Sequence, residues 1–208
     1  MQTRLPTEER QADIVAAALR LAQDNSPALI TTGDIATAVG LTQGAVFKHF
    51  ATKDAIWVAA MRWVRQALLQ VLGEAAAAPA DGGRAGRAAK PSAALSAMFQ
   101  AHVEFVVAHP GVPRVIFHEL QQPADSATKQ EVRALMQAYR ALLLRVLGQA
   151  VAQGDADPGL DTAAAATLFI GSVQGLVMPA MLAGKPTAMR SQAPGVLALV
   201  LRGMGGVA

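Results

Sequence analysis

The 208-residue sequence contains no cysteine and is poor in charged and aromatic residues. The absence of cysteine excludes disulfides, thiolate metal sites and thiol nucleophiles, and with them a secreted disulfide scaffold. Charged residues make up 16% of the chain and aromatic residues 4%, whereas hydrophobic residues make up 52%. This composition argues against intrinsic disorder, which requires low hydrophobicity and high net charge. The mean hydropathy of +0.31 instead calls for a membrane segment or for a large apolar surface hidden in contacts.

Signatures of catalysis are also missing from the sequence. No glycine-rich phosphate loop follows a strand pattern, and neither G-x-S-x-G nor H-E-x-x-H occurs. Histidine lies near glutamate in HVE at 102–104 and in HEL at 118–120, but without the i, i+4 spacing of a compact helical metal site. We therefore expect no enzymatic activity, no metal and no cofactor.

The net charge of +3 does not by itself identify a partner. Residues 1–54 hold five basic and six acidic residues, so the excess of positive charge lies in the rest of the chain. A small charge that is spread in this way is weak evidence for binding to nucleic acid or to a membrane.

The strongest membrane candidate is the uncharged stretch at 162–184, which is long enough to span a bilayer. It contains many alanines, several polar residues and Pro179, which favours a helix buried against another protein surface. A transmembrane span is the alternative. The N-terminus carries Arg4, Glu8, Glu9 and Arg10 without an apolar segment, so we expect no signal peptide and a cytoplasmic protein without membrane contact.

Apolar residues recur with the helical period throughout, and no segment alternates with a period of two. This pattern predicts an all-α fold of about nine helices, near residues 7–24, 31–39, 42–49, 54–72, 92–108, 112–121, 126–152, 160–183 and 193–204. Residues 73–91 are rich in Ala, Gly and Pro, and we interpret them as a flexible linker or a frayed helix end. They contain Arg84, Arg87 and Lys90, so the alternative is an arm that touches DNA.

Residues 31–50 have the spacing of a helix-turn-helix. Thr31 and Asp34 fit a capping box at the start of the first helix. Gly40 can end that helix in a left-handed conformation, and Thr42 can cap the second helix. The second helix then exposes residues suited to the major groove, because glutamine bonds adenine and small residues allow close approach. These residues are Gln43, Gly44, Ala45, Phe47 and Lys48.

This region is similar to the N-terminal domain of the tetracycline-repressor-like (TetR/AcrR) family of bacterial regulators. The similarity covers about residues 7–60 and rests on Ile35–Ala36, Gly40–Leu41–Thr42, Gly44, Phe47–Lys48–His49–Phe50 and Lys53–Asp54. It implies a DNA-binding domain at 1–53, in which Thr31, Thr32, Thr42, Phe47, His49 and Lys53 support or contact DNA. Phe47 stands where the family usually has tyrosine, and Gly33 stands where it often has a basic residue. We therefore expect the affinity for DNA to depend more on Lys48, Lys53 and Arg4.

The resemblance further implies that residues 54–208 bind a ligand among the middle helices and dimerise through the last two. Gly171 and Gly175 form a small-x-x-x-small pattern that suits close helix packing. The predicted dimer interface comprises Phe169, Gly171, Ser172, Gly175, Leu176, Met178, Val196, Leu197, Val200, Leu201 and Met204. The candidate ligand-binding residues are Trp57, Met61, Met98, Phe99, His102, Phe105, Phe117, His118, Met136 and Tyr139, for which plain core packing is the alternative.

Together these observations predict a homodimeric repressor that binds a palindromic double-stranded DNA operator. A small lipophilic effector of unknown identity would tilt the 54–72 helix and so change the affinity for DNA. Two other interpretations stay open, namely a helical interaction module that does not bind DNA and a membrane-anchored protein.

Overall fold

The computed structural model describes residues 6–78 and 91–205, and every regular element within them is helical. The predicted all-α fold with nine α-helices is thereby confirmed for these ranges. The elements are α1 (Thr7–Leu21), α2 (Thr32–Ala38), α3 (Gln43–Phe47), α4 (Lys53–Ala77), α5 (Pro91–Ala108), α6 (Gly111–Gln121), α7 (Ala127–Ala152), α8 (Thr162–Leu182), a 3₁₀ turn (Pro186–Ala188) and α9 (Met189–Gly203).

The chain divides into two compact units. Unit 1 comprises Met1–Gln66 and His109–Ala134, and unit 2 comprises Ala67–Ala108 and Leu135–Ala208. The helices α4 and α7 each begin in unit 1 and end in unit 2. The boundary predicted after residue 53 separates functions rather than compact units, and it stays a prediction.

In unit 1, α1 packs against α2 and α6, and α2 packs against α3. Ile14, Ile35 and Val46 are fully buried, so each of the first three helices contributes to one apolar core. The start of α6 lies so close to α1 that a Cβ added at Gly111 would overlap the carbonyl oxygen of Leu19. Glycine is therefore required there for the two helices to approach this closely.

Two ion pairs connect α4 and α7 within unit 1. The carboxylate of Glu131 accepts from Arg62 Nε at 2.6 Å and from Arg65 Nη2 at 3.3 Å. The Glu131 side chain is largely buried, which makes the pair less screened than a pair on the open surface. The two pairs link the parts of α4 and α7 that belong to this unit.

In unit 2, α5, α8 and α9 pack against one another. Phe99 of α5 and Phe169 of α8 are fully buried and meet edge to face, with ring centroids 5.4 Å apart. Asp161 caps α8 by accepting from the backbone N–H groups of Ala163 and Ala164. The core of this unit is therefore built from helices that are far apart in sequence.

The segment at 73–91 is less linker-like than predicted. Residues 73–77 continue α4, and Pro91 begins α5. Alanine has the highest helix propensity, and Gln70 Nε2 donates to Glu74 Oε1 at 2.9 Å, so the helix extends past Gly73. Residues 79–90, with Arg84, Arg87 and Lys90, lie outside the described residues, as does Arg4.

Helix α8 is long and apolar enough to cross a membrane, judged by its length and composition alone. The core helix of a soluble protein passes the same test. Seven of its residues are buried, among them Phe169, Val173 and Val177. These side chains pack inside unit 2, which accounts for the apolar residues on one side of α8.

Candidate nucleic-acid interface

Helix α2 begins with the predicted capping box. Thr31 Oγ1 accepts from Asp34 N at 3.1 Å, and Asp34 Oδ2 accepts from Thr31 N at 2.8 Å. The Thr31 hydroxyl also donates to Asp34 Oδ2 at 2.8 Å. These bonds to Thr31 hold the pKa of Asp34 below its ordinary value, because they stabilise the carboxylate. The only O–H donor of Thr31 is thus used within the helix cap, rather than offered to a phosphate.

The turn between α2 and α3 depends on Gly40. Its φ is +66°, in the left-handed region that glycine adopts without strain. Leu41 N donates to Ala36 O at 2.8 Å and Gly40 N donates to Thr37 O at 3.1 Å, which closes α2 with a Schellman motif. The predicted glycine turn is confirmed, and it fixes the direction in which α3 leaves.

Helix α3 begins as predicted but is shorter, because it ends at Phe47. Thr42 Oγ1 caps it by accepting from Ala45 N at 3.2 Å. Gln43, Gly44, Phe47 and Lys48 are exposed, and Ala45 is half-buried. Phe47 keeps 44% of its surface accessible despite its apolar ring.

Thr32 does not lie on the surface where a phosphate contact would require it. It is only 8% exposed, and its Oγ1 accepts a hydrogen bond of 2.7 Å from Gln43 Nε2. This buried, hydrogen-bonded position does not favour the predicted contact of Thr32 with DNA, which stays untested. No sequence pattern indicates this bond, because the two residues are on different helices.

Lys53 is also engaged within the protein. Its ammonium Nζ donates to the carbonyl oxygens of Ala28 and Ile30, each at 3.0 Å, and the residue is half-buried. An ammonium has three donors, so one remains for a phosphate. Sequence reasoning placed Lys53 at a helix N-terminus correctly, but it missed that the side chain fastens the loop before α2.

His49 follows α3 and is half-buried. Its backbone carbonyl accepts from Gln11 Nε2 of α1 at 3.2 Å. Its Nδ1 is buried and has no hydrogen-bond partner among the described residues. A phosphate contact by His49 would thus have to use Nε2, and it stays a prediction.

The ten candidate ligand-binding residues are divided between the two units. Trp57, Met61, Phe117 and His118 belong to unit 1, and the other six belong to unit 2. Phe117, His118 and Met136 are half-buried, and the remaining seven are buried. The buried side chains fit core packing, the alternative interpretation, and a ligand contact by them stays a prediction.

One polar contact lies inside the core of unit 2. His102 Nδ1 and the Tyr139 hydroxyl are 3.0 Å apart, and both side chains are buried. Burial lowers the pKa of His102 to about 4 and raises the pKa of Tyr139, because each charged form would lose its hydration. Both groups are therefore neutral at neutral pH and satisfy one another.

A cleft of about 260 Å³ opens between α5 and α9 in unit 2. Its walls are mainly apolar, and an ion pair lies at its rim, where Glu104 accepts from Arg190 Nε at 2.8 Å and from Nη2 at 2.6 Å. The Arg190 guanidinium keeps the pKa of Glu104 low. The lining residues are Phe99, Gln100, Val103, Glu104, Arg190, Ala193, Pro194 and Leu197. Only Phe99 was among the ten predicted residues, since α5 and α9 are distant in sequence.

The predicted dimer interface mixes two faces of the last helices. Phe169, Leu176, Leu197, Val200 and Met204 are buried inside the protomer, which does not favour direct contact with a second copy. Gly171, Gly175 and Met178 are exposed, and Ser172, Val196 and Leu201 are half-buried. The prediction missed three exposed leucines, Leu168, Leu182 and Leu199.

These exposed residues define a stripe on α8. Leu168, Gly171, Gly175, Met178 and Leu182 follow one another at alternating intervals of three and four residues. Leu168 is 50% exposed, Met178 58% and Leu182 86%. A spacing of this kind keeps side chains on one helix face, as in a helix-packing seam. We call these five residues the α8 stripe.

No group of three or more His, Asp or Glu side chains that could hold a metal ion occurs within residues 6–78 and 91–205. Candidate sites within the described residues include the surface around α3, the cleft beside α9 and the α8 stripe.

Two family models match the sequence. The model "Bacterial regulatory proteins, tetR family" matches residues 14–60, and "Tetracyclin repressor-like, C-terminal domain" matches residues 119–194. No curated protein matches the chain. The two models together cover more than half of the sequence, including the whole helix-turn-helix.

Solved structures share the fold over nearly the whole chain. The fatty acid degradation regulator FadR from Bacillus halodurans is 16% identical, with a TM-score of 0.80 over 99% of this chain and 100% of that one. FadR from Bacillus subtilis in complex with stearoyl-CoA is 17% identical, with a TM-score of 0.76 over 95% and 99%. The SmeT–triclosan complex is 21% identical, with a TM-score of 0.70 over 94% and 91%.

The helix-turn-helix of residues 31–50, the helical body that follows it and the two matching family models agree with one another. The chain belongs to the TetR family of bacterial transcriptional regulators.

Proposed function

We propose that this TetR-family regulator is a homodimeric repressor that binds a palindromic operator. A compact lipophilic effector controls its affinity for DNA. The observation that carries the proposal is the exposed first turn of α3. It presents Gln43 and Gly44 beside the cap residue Thr42, with Lys48 exposed at its end.

The first turn of a recognition helix is where a helix-turn-helix contacts base edges. Gln43 carries the amide that pairs with adenine, and Gly44 has no side chain to keep the helix away from the groove. Lys48 and the remaining donor of Lys53 can contact phosphates, which supplies affinity that does not depend on base sequence.

The α8 stripe supports dimerisation with a second copy of the chain. It exposes three large apolar side chains in one line, and such a patch on a soluble protein marks an interaction surface. Gly171 and Gly175 at its centre allow two helix backbones to come close. A twofold dimer presents two recognition helices, which matches an operator made of two inverted half-sites.

The cleft between α5 and α9 supports an effector site in unit 2. At about 260 Å³ it lies near the small end of the range for ligand pockets, roughly 300–1,000 Å³. Its apolar walls suit a lipophilic molecule, and the Glu104–Arg190 pair can orient a polar group. Two proteins of the same fold are described in complex with stearoyl-CoA, which carries a long apolar acyl chain, and with triclosan, which is lipophilic. Such a molecule alters DNA binding only if its affinity differs between the two states of the protein.

DNA binding is tested by fluorescence anisotropy with duplexes from the chromosomal region upstream of the encoding gene, over a series of salt concentrations. We expect one duplex to bind more tightly than the others, with an affinity that falls steeply as salt rises. A helical interaction module would leave every duplex unbound at low salt, which would contradict the proposal. A membrane-anchored protein would sediment with the membrane fraction after cell lysis.

Dimerisation is tested by light scattering on Leu168→Glu. Leu120 of α6, which is 60% exposed, provides the matched control Leu120→Glu. We expect the first variant to be a folded monomer with weakened operator binding and the second to remain a dimer. A dimeric Leu168→Glu variant would show that the α8 stripe is not the interface.

The effector site is tested by titrating triclosan, a compact lipophilic molecule, into the protein–duplex complex. Ala193 lines the cleft, so Ala193→Leu should reduce its volume and weaken the response, whereas Ala141→Leu on the exposed side of α7 should not. Equal responses in the two variants would place the effector elsewhere.

A further inference from the structure

The side chain of Gln43 is held by a residue of the preceding helix. Gln43 is the first residue of α3, and its Nε2 donates to Thr32 Oγ1 over 2.7 Å. Thr32 is the first residue of α2 and is buried, whereas Gln43 is exposed. The bond thus connects a fixed point inside unit 1 with a side chain on the proposed DNA-reading surface.

The Thr32 hydroxyl is not needed to cap α2. The neighbouring Thr31 and the carboxylate of Asp34 already form the complete capping box. In the same helix, the hydroxyl of Thr37 donates to Gly33 O, a local bond that threonine commonly makes within a helix. Thr32 differs because its hydroxyl oxygen accepts a hydrogen bond from a side chain eleven residues later in the sequence.

The chemistry of the amide makes this bond useful. A glutamine amide has two N–H donors and one acceptor oxygen. The bond to Thr32 uses one donor, which leaves one donor and the oxygen. Adenine needs that pair, since its N7 accepts and its N6 amino group donates.

We infer that Thr32 is a positioning residue that fixes the amide of Gln43 for adenine recognition. The inference rests on the proposed function, because it requires Gln43 to read a base. Thr32 itself does not touch the DNA. It raises sequence discrimination by removing the rotational freedom that Gln43 would otherwise lose on binding.

The test uses the full-length protein and a duplex that the wild type selects from a randomised library. Dissociation constants are measured for that duplex and for all its single base-pair variants. The position at which Gln43→Ala loses its preference is the one that Gln43 reads. The same ratios are then measured for Thr32→Val, which lacks the hydroxyl, for Thr32→Ser, which keeps it, and for Thr37→Val as the matched control.

We expect Thr32→Val to lower the preference for adenine at that one position by about two- to tenfold, which is the cost of ordering one freed side chain. Thr32→Ser and Thr37→Val should keep the wild-type preference, and the salt dependence should be the same in all three. Adding Thr32→Val to Gln43→Ala should change nothing further, because both act through one contact.

Three results would overturn the inference. In the first, Thr32→Val keeps the full preference; in the second, it weakens binding to every duplex by the same factor, as a phosphate or purely structural role requires. In the third, Gln43→Ala changes no position. In each case the wild type still selects a duplex, and the proposed function stands. If the wild type selects no duplex and binds none at low salt, the proposed function fails as well.

Discussion

The contacts of Lys53 allow a quantitative prediction for Lys53→Ala. The substitution removes two hydrogen bonds of 3.0 Å from the ammonium to the carbonyl oxygens of Ala28 and Ile30. A hydrogen bond to a charged group contributes about 1.5–3 kcal/mol. One ammonium makes both bonds and one of them is exposed, so we take about 2 kcal/mol for the pair. For a protein of this length, that loss lowers Tm by about 4–8 °C.

The same substitution tests the role of Lys53 on DNA. If its third N–H group contacts a phosphate, the slope of log affinity against log salt falls in magnitude by about 0.9 per protomer, or about 1.8 for the dimer on its operator. The matched control is Lys48→Ala, because Lys48 is exposed at the end of α3. We expect the control to lower the slope by a similar amount and to leave Tm within about 1 °C of the wild type.

Thermal unfolding followed by circular dichroism and anisotropy titrations well below Tm measure the two effects separately. An unchanged Tm in Lys53→Ala would refute the structural role of the carbonyl contacts. A lower Tm with an unchanged salt slope would refute the phosphate contact and leave Lys53 as a purely structural residue.

Three further predictions concern packing within each of the two units. Gly111→Ala should destabilise unit 1 by about 1–3 kcal/mol in urea unfolding, because its Cβ would overlap the Leu19 carbonyl oxygen. The control Gly148→Ala, in an open part of α7, should not destabilise the protein. Equal effects of the two substitutions would contradict the close approach of α1 and α6. Tyr139→Phe should cost about 1–3 kcal/mol, because it leaves His102 Nδ1 buried without its partner, and a smaller loss would mean that the bond is dispensable. Burial lowers the pKa of His102 from 6.5 to about 4, so the contribution of neutral His102 to the free energy of unfolding is complete above pH 6.5 and is lost as pH falls towards 4. Urea unfolding at several pH values should show a loss of about 3 kcal/mol in the wild type. The variant His102→Gln should not show this loss.

The helix-turn-helix could be predicted because its determinants are local. Thr31 and Asp34 are three residues apart, Thr42 caps the N–H three residues later, and Gly40 sets its own φ. Interactions over so short a range follow from residue type and spacing alone. The resemblance to the TetR family rests on these same residues.

The partners of the functional side chains could not be predicted in this way. Lys53 bonds carbonyls more than twenty residues earlier, and Glu104 pairs with Arg190, 86 residues later. Spacing in sequence does not reveal which residues tertiary packing brings together. Sequence similarity therefore predicts DNA contacts for Thr32 and Lys53, whereas the structure shows that both side chains bond within unit 1.

For α8, the sequence predicts the helix but not which of its faces is buried. Its composition determined that it is an apolar helix, and the charge-free run indicated a hidden surface. A helix that is apolar on all sides carries no pattern that distinguishes its inner face from its outer one. Only the packing of α5 and α9 against α8 decided that Phe169 and Leu176 point into the core, while Leu168, Met178 and Leu182 remain on the outside. The sequence by itself thus determined the helices, the turn and the family, and the tertiary structure decided which side of each helix is available to a partner.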